Sequence, residues 1–346
     1  MSRETADVVV IGTGIIGAAT AFYLAQAGLR VMTIDGAVPP SGATQTSTGM
    51  VRVTHHHPAL TALAAEGLAA FQRWGDEVGE STFVRTGCAF RVDSQPSLAD
   101  AGIAAGGSLV DGRALRSHFP GLRCPDEALA VWEDEAGHAD PLQCTRQYLG
   151  RVGETRRAFV TALRAGHLDT TDGSIEADRV IIATGAWAPE LVPELPVRPR
   201  RIVWQRLRVR HPRSIGPSYI DEEESLYARW EAADTILAST NCKEFDIHLG
   251  EEASPISSSF LARGRTTVTR RLGIEVVGPS EPIDGFDAFT PDGIPIIDVC
   301  EDGKTYLATG FCGVGFKLAP SVGRHLADWV LTGDRPGPLA AFATRT

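Results

Sequence analysis

The chain has 346 residues, enough for one large domain or two ordinary ones, and its 43% apolar content supports a sizeable core. With 22% charged residues and a mean hydropathy near zero, it reads as a soluble globular protein. A formal net charge of −10 argues against nucleic acid and anionic membranes as partners.

The chain opens on a β-branched run, Asp7-Val8-Val9-Val10-Ile11, that reads as a buried parallel strand. Gly12, Gly14 and Gly17 follow in the spacing G-x-G-x-x-G, and a helical pattern from Ile15 to Ala27 stops at Gly28. Leu29 to Ile34 reads as a second strand ending on Asp35. In such a βαβ unit Gly12 permits the tight turn, Gly14 lets the backbone approach a pyrophosphate, and Gly17 lets the helix sit close on the sheet. The helix N-terminus offers free N–H groups to phosphates, and Asp35 is placed to accept hydrogen bonds from a ribose.

Val38-Pro39-Pro40-Ser41-Gly42-Ala43-Thr44 is a loop, and Thr46 to His57 continues as small hydroxylated residues followed by Arg52 and three histidines. Consecutive histidines in an extended chain alternate sides, so His55, His56 and His57 are not expected to share a metal. Ala59 to Trp74 has helical periodicity. Phe83 to Val92 reads as a strand pair, Asp111 to Arg116 as a short helix, and Ala128 to Trp132 as a strand. His138 and Asp140 close an acidic turn before a helix that begins near Pro141. Arg179 to Thr184 is a strand opening into Gly185-Ala186-Trp187, and residues 199–277 read as short antiparallel strands with one solvated face.

Phe289 to Asp298 is a turn leading to a strand, Tyr306 to Thr309 is another strand, and Gly310 to Phe316 is a further glycine-rich loop. Leu318, Val322, Leu326 and Val330 mark one face of a helix closed by Gly333. Three strand ends thus open into glycine loops, near residues 12, 185 and 310. That favours a long ligand lying extended along the strand ends, FAD rather than NAD. Six cysteines without Cys-x-x-Cys or zinc-like spacing read as reduced thiols, which gives a cytoplasmic expectation and no metal site.

On these segments the chain resembles the D-amino acid oxidase superfamily of flavoproteins, and within it the sarcosine oxidase and N-methyl amino acid oxidase branch. Val8 to Asp35 matches the FAD fingerprint, Arg179 to Pro189 the strand-glycine-Trp segment, and Thr290-Pro291-Asp292-Gly293 with Gly310 to Lys317 the C-terminal signature. The resemblance implies an α/β fold: a Rossmann-like FAD-binding domain of residues 1–82, 138–198 and 287–346, and a substrate domain of 83–137 and 199–286 built on a mixed, largely antiparallel sheet.

The resemblance also implies that FAD is held by Gly12, Gly14, Ile15, Ile16, Gly17, Asp35, Gly36, Thr48, Gly49, Met50, Val160, Thr184, Gly185, Trp187, Gly310, Gly313, Val314, Gly315, Phe316 and Lys317. Lys317 is expected on the substrate carboxylate and Arg52 near the flavin. His55 stands where that branch has a second carboxylate-binding arginine, and Lys243 is the candidate for promoting reaction with oxygen. The cysteine that bonds covalently to FAD in that branch falls on Gly285, so non-covalent FAD is expected. The expected reaction is oxidation of an amino acid or secondary amine to an imine by hydride transfer to flavin N5, with oxygen as acceptor. The alternatives are a dehydrogenase with another acceptor, a subunit of a hetero-oligomer, and an NAD(P) enzyme. Tyr227 and Trp230 are candidates for the substrate pocket, with packing in the core as the more ordinary role.

Overall fold

The computed structural model describes residues 4–344 except Pro40, Ser94, Glu154, Ala165, 211–214, Asn241 and 251–252. Pro40, in the loop after Asp35, and Asn241, beside Lys243, therefore lie outside the described residues. The architecture is mixed α/β, with two eight-stranded sheets and a small three-stranded one.

The first sheet is built on β1 (Glu4–Ile11) and β2 (Val31–Asp35), joined by α1 (Ile15–Gln26). Its parallel core runs Thr155–Arg157, β2, β1, Gly173–Ile182, Thr305–Thr309, with Val8 opposite Val31 on one side and Arg179 on the other. Val8 and Val10 face α1 and α2 (Pro58–Gln72), while Val9 and Ile11 face a second cluster with Ile34, Val180 and Ile182. Burial on both faces explains why β1 is β-branched without alternation. The strand Gly173–Ile182 pairs its first half with the antiparallel strand His167–Thr170 and its second half with Thr305–Thr309.

The C-terminal helix, Gly315–Thr332, packs tightly against both α1 and α2. Each contact is made backbone to backbone at a glycine. A Cβ on Gly323 would meet Ala19 at 2.8 Å, and one on Gly67 would lie 2.0 Å from the Lys317 carbonyl oxygen. Ser321 ties the same helices by donating to the Leu63 carbonyl at 2.8 Å.

The second sheet runs Val276–Phe289, Arg198–Val209, Thr235–Thr240, Leu226–Ala232, Ser218–Asp221, Cys88–Arg91, Leu129–Glu133, Ser108–Asp111, and is antiparallel except between Ser218–Asp221 and Cys88–Arg91. Two expectations need correction. The strands within 83–92 do not pair with each other: Val84–Arg85 joins the small sheet and Cys88–Arg91 the large one. They part at Gly87, whose φ of +79° and contact with the Trp132 ring leave no room for a side chain. Within 199–277, residues Ser258–Leu272 form a helix, capped by Ser257 on the Phe260 amide. Its buried stripe is only Gly264, Val268 and Leu272, and its many arginines hid the helical period.

Candidate functional site

One cavity of about 1160 Å³ is lined by strand ends of the first sheet and by strands of the second. It exceeds the roughly 300–1,000 Å³ of ordinary small-molecule pockets, so it has room for a long ligand with space left beside it.

The first turn builds one end. Gly12 has φ +95°, and a Cβ there would strike the Ala183 carbonyl oxygen at 2.5 Å. A Cβ on Gly17 would sit 2.0 Å from the Gly12 oxygen, so no side chain fits between helix and strand. Gly14 differs: its Cβ position meets only Thr44 Oγ1, at 3.3 Å. That hydroxyl accepts from the Ile15 amide at 3.0 Å, and no side chain of Gly14 caps the helix. The Asp35 carboxylate accepts from Thr13 N and Oγ1, both at 2.8 Å, and from Ala37 N at 2.9 Å. Both Thr13 donors share Oδ2, so Oδ1, engaged only by Ala37 N, still has a lone pair for a hydroxyl.

At Gly185 and Gly313, both of positive φ and both on the cavity wall, a Cβ would meet nothing within 4 Å and would instead project into open space. Of the residues expected to hold the cofactor, all but Gly17 and Gly49 line the cavity. Gly17 acts through the helix–strand contact, and Gly49 through close approach to the Ala139 carbonyl. Val160 is on the wall, and the neighbouring Phe159, which sequence reasoning passed over, lays its 64%-exposed ring against Gly36.

Another stretch of the cavity wall concentrates charge. Arg52, His55 and Lys317 all line it and are only 7%, 5% and 5% exposed. Lys317 is set by the first turn of the C-terminal helix, held against Gly67. It makes no ion pair among the described residues. Burial first, and the Arg52 cation second, push its ammonium well below the usual lysine range. Arg52 lies over the Phe90 ring, 4.7 Å from its centroid, and donates to the Thr54 carbonyl. Burial, Arg52 and Lys317 hold the His55 imidazole well below its ordinary value, so it is neutral. His56 instead bonds Glu222 at 2.9 Å, and His57 accepts from the Ala59 amide to cap α2. His56 and His57 thus take separate partners, while His55 Nε2 is buried without a hydrogen-bond partner among the described residues.

Beneath these cations lies Glu133, 6% exposed, accepting from Val53 N at 2.6 Å and Thr54 N at 2.7 Å. It fixes the segment 52–55 and supplies buried negative charge. The sequence hid it in an acidic turn, although it is the lone acid closing the apolar strand Leu129–Glu133. Asp287 was also missed; the signal was an acid in the run Phe286–Phe289 on the cavity wall. Tyr227 lines the cavity and donates to Glu222 at 3.2 Å, whereas Trp230 packs in the core of the second sheet. Asp140 caps the helix Pro141–Leu149 through the Leu142 and Gln143 amides.

Lys243 stands apart. It is exposed, in the segment after Thr240, and is not on the cavity wall, although the adjacent Cys242 is. The chain has three lysines, and Lys317 is the one that lines the cavity.

Residues 7–329 match the family described as FAD dependent oxidoreductase, DAO. The chain is 26% identical to the N-methyl-L-tryptophan oxidase of Yersinia pestis (strain Pestoides F) over 369 aligned positions, covering 96% of each protein. Its fold is similar to that of L-proline dehydrogenase from P. horikoshii, with a TM-score of 0.87, 21% identity and 99% and 98% of the two chains covered. Glycine oxidase from Geobacillus kaustophilus is also similar, with a TM-score of 0.81, 21% identity and 99% of each chain covered.

Proposed function

Because the chain belongs to the DAO family of FAD-dependent oxidoreductases, we propose that it oxidises an amino acid or N-alkyl amino acid at its carbon–nitrogen bond, giving an imine. The observation that carries this reading is Lys317, without an ion-pair partner among the described residues, beside Arg52 in the same cavity as the glycine cradle. A family member at 26% identity that acts on an N-methyl amino acid supports the substrate class.

The residues present fit FAD. The side-chain-free N-cap of α1 at Gly14, close to which only the Thr44 hydroxyl comes, and the open glycines 185 and 313 are features a bound dinucleotide would use. Gly12, Gly14 and the Ile16 amide would hold the pyrophosphate, Asp35 the ribose, and Gly313 to Lys317 the far end. Flavin, when bound, supplies hydride acceptance at N5. The protein then binds and orients. Arg52 and Lys317 would take the substrate carboxylate as charge-assisted hydrogen bonds in a water-poor site. Neutral His55 adds a hydrogen-bonding group without a third positive charge. Phe90, Trp204 and Tyr227 give the neighbouring wall its aromatic character.

Non-covalent attachment is part of the proposal. Gly285 abuts Thr46, and a Cβ there would lie 2.3 Å from the hydroxyl, so a cysteine at this position needs Thr46 to move. The division into a discontinuous FAD-binding part and a substrate part is proposed with the boundaries given above. A cytoplasmic location is likewise proposed; among the described residues no helix is long and apolar enough to cross a membrane.

Oxygen is the acceptor expected from the sequence. The placement of Lys243 off the cavity wall favours a second reading, a dehydrogenase passing electrons to another acceptor or partner subunit. The test is anaerobic bleaching of the purified yellow protein across a panel of amino acids and N-methyl amino acids, then reoxidation by air or by a dye. Bleaching by an amine bearing a carboxylate supports the proposal. A colourless protein that takes up no FAD, or a flavin that no amine bleaches, overturns it. Reoxidation by dye but not by air selects the second reading.

A further inference from the structure

Building on the amine-oxidation reading, we infer that the Asp287 carboxylate binds the amino nitrogen of the substrate and takes its proton. Asp287 lies on Val276–Phe289, which pairs with Arg198–Val209 so that Arg200 stands directly opposite Asp287. Cross-strand partners project to the same face, and both residues line the cavity. Arg200 does not neutralise the acid. Its guanidinium lies between the rings of Phe289 and Phe245, at 4.8 and 5.3 Å, and its Nε donates to the Cys242 carbonyl at 2.9 Å.

The Asp287 carboxylate is held by backbone alone. One oxygen accepts from Ala288 N at 2.7 Å and the other from Gly313 N at 2.6 Å. No side-chain partner engages it among the described residues. Each oxygen keeps a lone pair for a ligand. Glu222, another carboxylate on the cavity wall, is already taken by His56 and Tyr227.

Gly313 lies in the loop four residues before Lys317, just ahead of the C-terminal helix, and Asp287 and Lys317 both line the cavity near enough to feel each other's charge, so the acid and the buried cation share one corner of it. A zwitterion fits such a corner: its carboxylate toward Lys317 and Arg52, its nitrogen toward Asp287. The ionisable groups facing Asp287 are Lys317 from the C-terminal helix, Cys312 from the glycine loop and Arg200 from the paired strand. Burial pushes the Asp287 carboxyl up to about 6, against the pull of its two amide donors and Lys317. A base of that strength is ionised at neutral pH and still able to hold a proton.

The step balances simply. The N–H bond of the substrate ammonium breaks and its electron pair stays on nitrogen. The proton forms an O–H bond on Asp287, and nothing is oxidised. The product is the neutral amine, the form from which hydride can leave the adjacent carbon.

The test compares the wild-type holoenzyme with Asp287→Asn, which retains one oxygen acceptor. The apparent second-order constant for anaerobic flavin bleaching by an amino acid is measured from pH 5 to 10. For wild type it rises through about 6, then plateaus until the amine itself deprotonates. For Asp287→Asn it falls by roughly 100-fold or more at pH 7, the scale of general-base catalysis. It then climbs about tenfold per pH unit with the free-amine fraction, losing the limb near 6.

Acetate, a carboxylate without nitrogen, is titrated by its perturbation of the flavin spectrum. It binds the variant as tightly as wild type or more so, because a negative charge beside Lys317 is gone. An acid limb retained near 6, loss of FAD from the variant, or weakened acetate binding overturns the inference and leaves Asp287 as a tether of the glycine loop. A wild-type flavin that no amine bleaches overturns this inference and the amine-oxidation reading together.

Discussion

Glu133→Gln isolates the buried negative charge under the cation pair. Glu133 is 6% exposed and receives two backbone amides, at 2.6 and 2.7 Å. A glutamine can accept only one of them. The other amide is left facing an NH2 group, and an unmade buried hydrogen bond costs about 1–3 kcal/mol. The surviving bond loses its charge assistance, worth about 1 kcal/mol. Arg52 and Lys317 lose nearby compensation, which adds about 1 kcal/mol more. The sum is about 3–5 kcal/mol. At about 2.1 cal/mol/K per residue, the 346-residue chain has an unfolding entropy of about 0.7 kcal/mol/K, so Tm falls by about 4–7 °C. Differential scanning at fixed scan rate and FAD concentration measures it. The same substitution makes a carboxylate ligand bind more tightly, because an anion near Lys317 has been removed. A Tm within 1 °C of wild type, or weaker acetate binding, would refute the assignment of Glu133 as both tether and counter-charge.

Lys317→Met should weaken an amino acid substrate by about 30-fold or more while leaving a carboxylate-free amine little changed, as read from anaerobic titrations. It should also raise stability at neutral pH. A lysine whose folded-state value is depressed binds fewer protons folded than unfolded, so its cost is greatest below that depressed value, shrinks as pH rises from there, and is gone above the unfolded value near 10.4; urea midpoints at pH 7 and 10.5 check this. His138, pushed down to about 4 by burial and Arg229, costs stability as pH falls from 6.5 toward 4, by about 3 kcal/mol when complete. Asp287 works in the opposite sense over that window because its carboxyl is raised, so the comparison that counts is His138→Gln against wild type: the variant's acid limb should be flatter. Gly17→Ala places a methyl 2.0 Å from a backbone oxygen and should purify with little or no flavin absorbance. Acid precipitation of wild type should leave a white pellet and a yellow supernatant.

The first βαβ unit was legible because every level agreed: β-branched strand, glycine spacing, helix stop and terminal acid all demand one geometry. The C-terminal helix was legible for the same reason, through Leu318, Val322, Leu326, Val330 and Gly333. The helix Ser258–Leu272 was not, because it buries only three residues and its arginines read as a solvated strand face. In the candidate site, the backbone-dominated portion was readable, since glycines announce close approach. Glu133 and Asp287 were not, because each serves residues distant in sequence: Val53 and Thr54 for one, Gly313 for the other. Lys243, the candidate for promoting reaction with oxygen, lies off the cavity wall, because a match in sequence order carries no information about which way an irregular segment turns.

The cavity draws its wall from at least five separated stretches, from Ile11 through Lys317, and from both large sheets. No fragment of the chain can therefore assemble it, and a ligand that fills it recognises only the finished fold. Such a ligand acts as a thermodynamic clamp on the whole molecule: at a free concentration 100 times its Kd it adds about 2.7 kcal/mol against global unfolding. Supply of the dinucleotide during synthesis would then set how much folded protein accumulates.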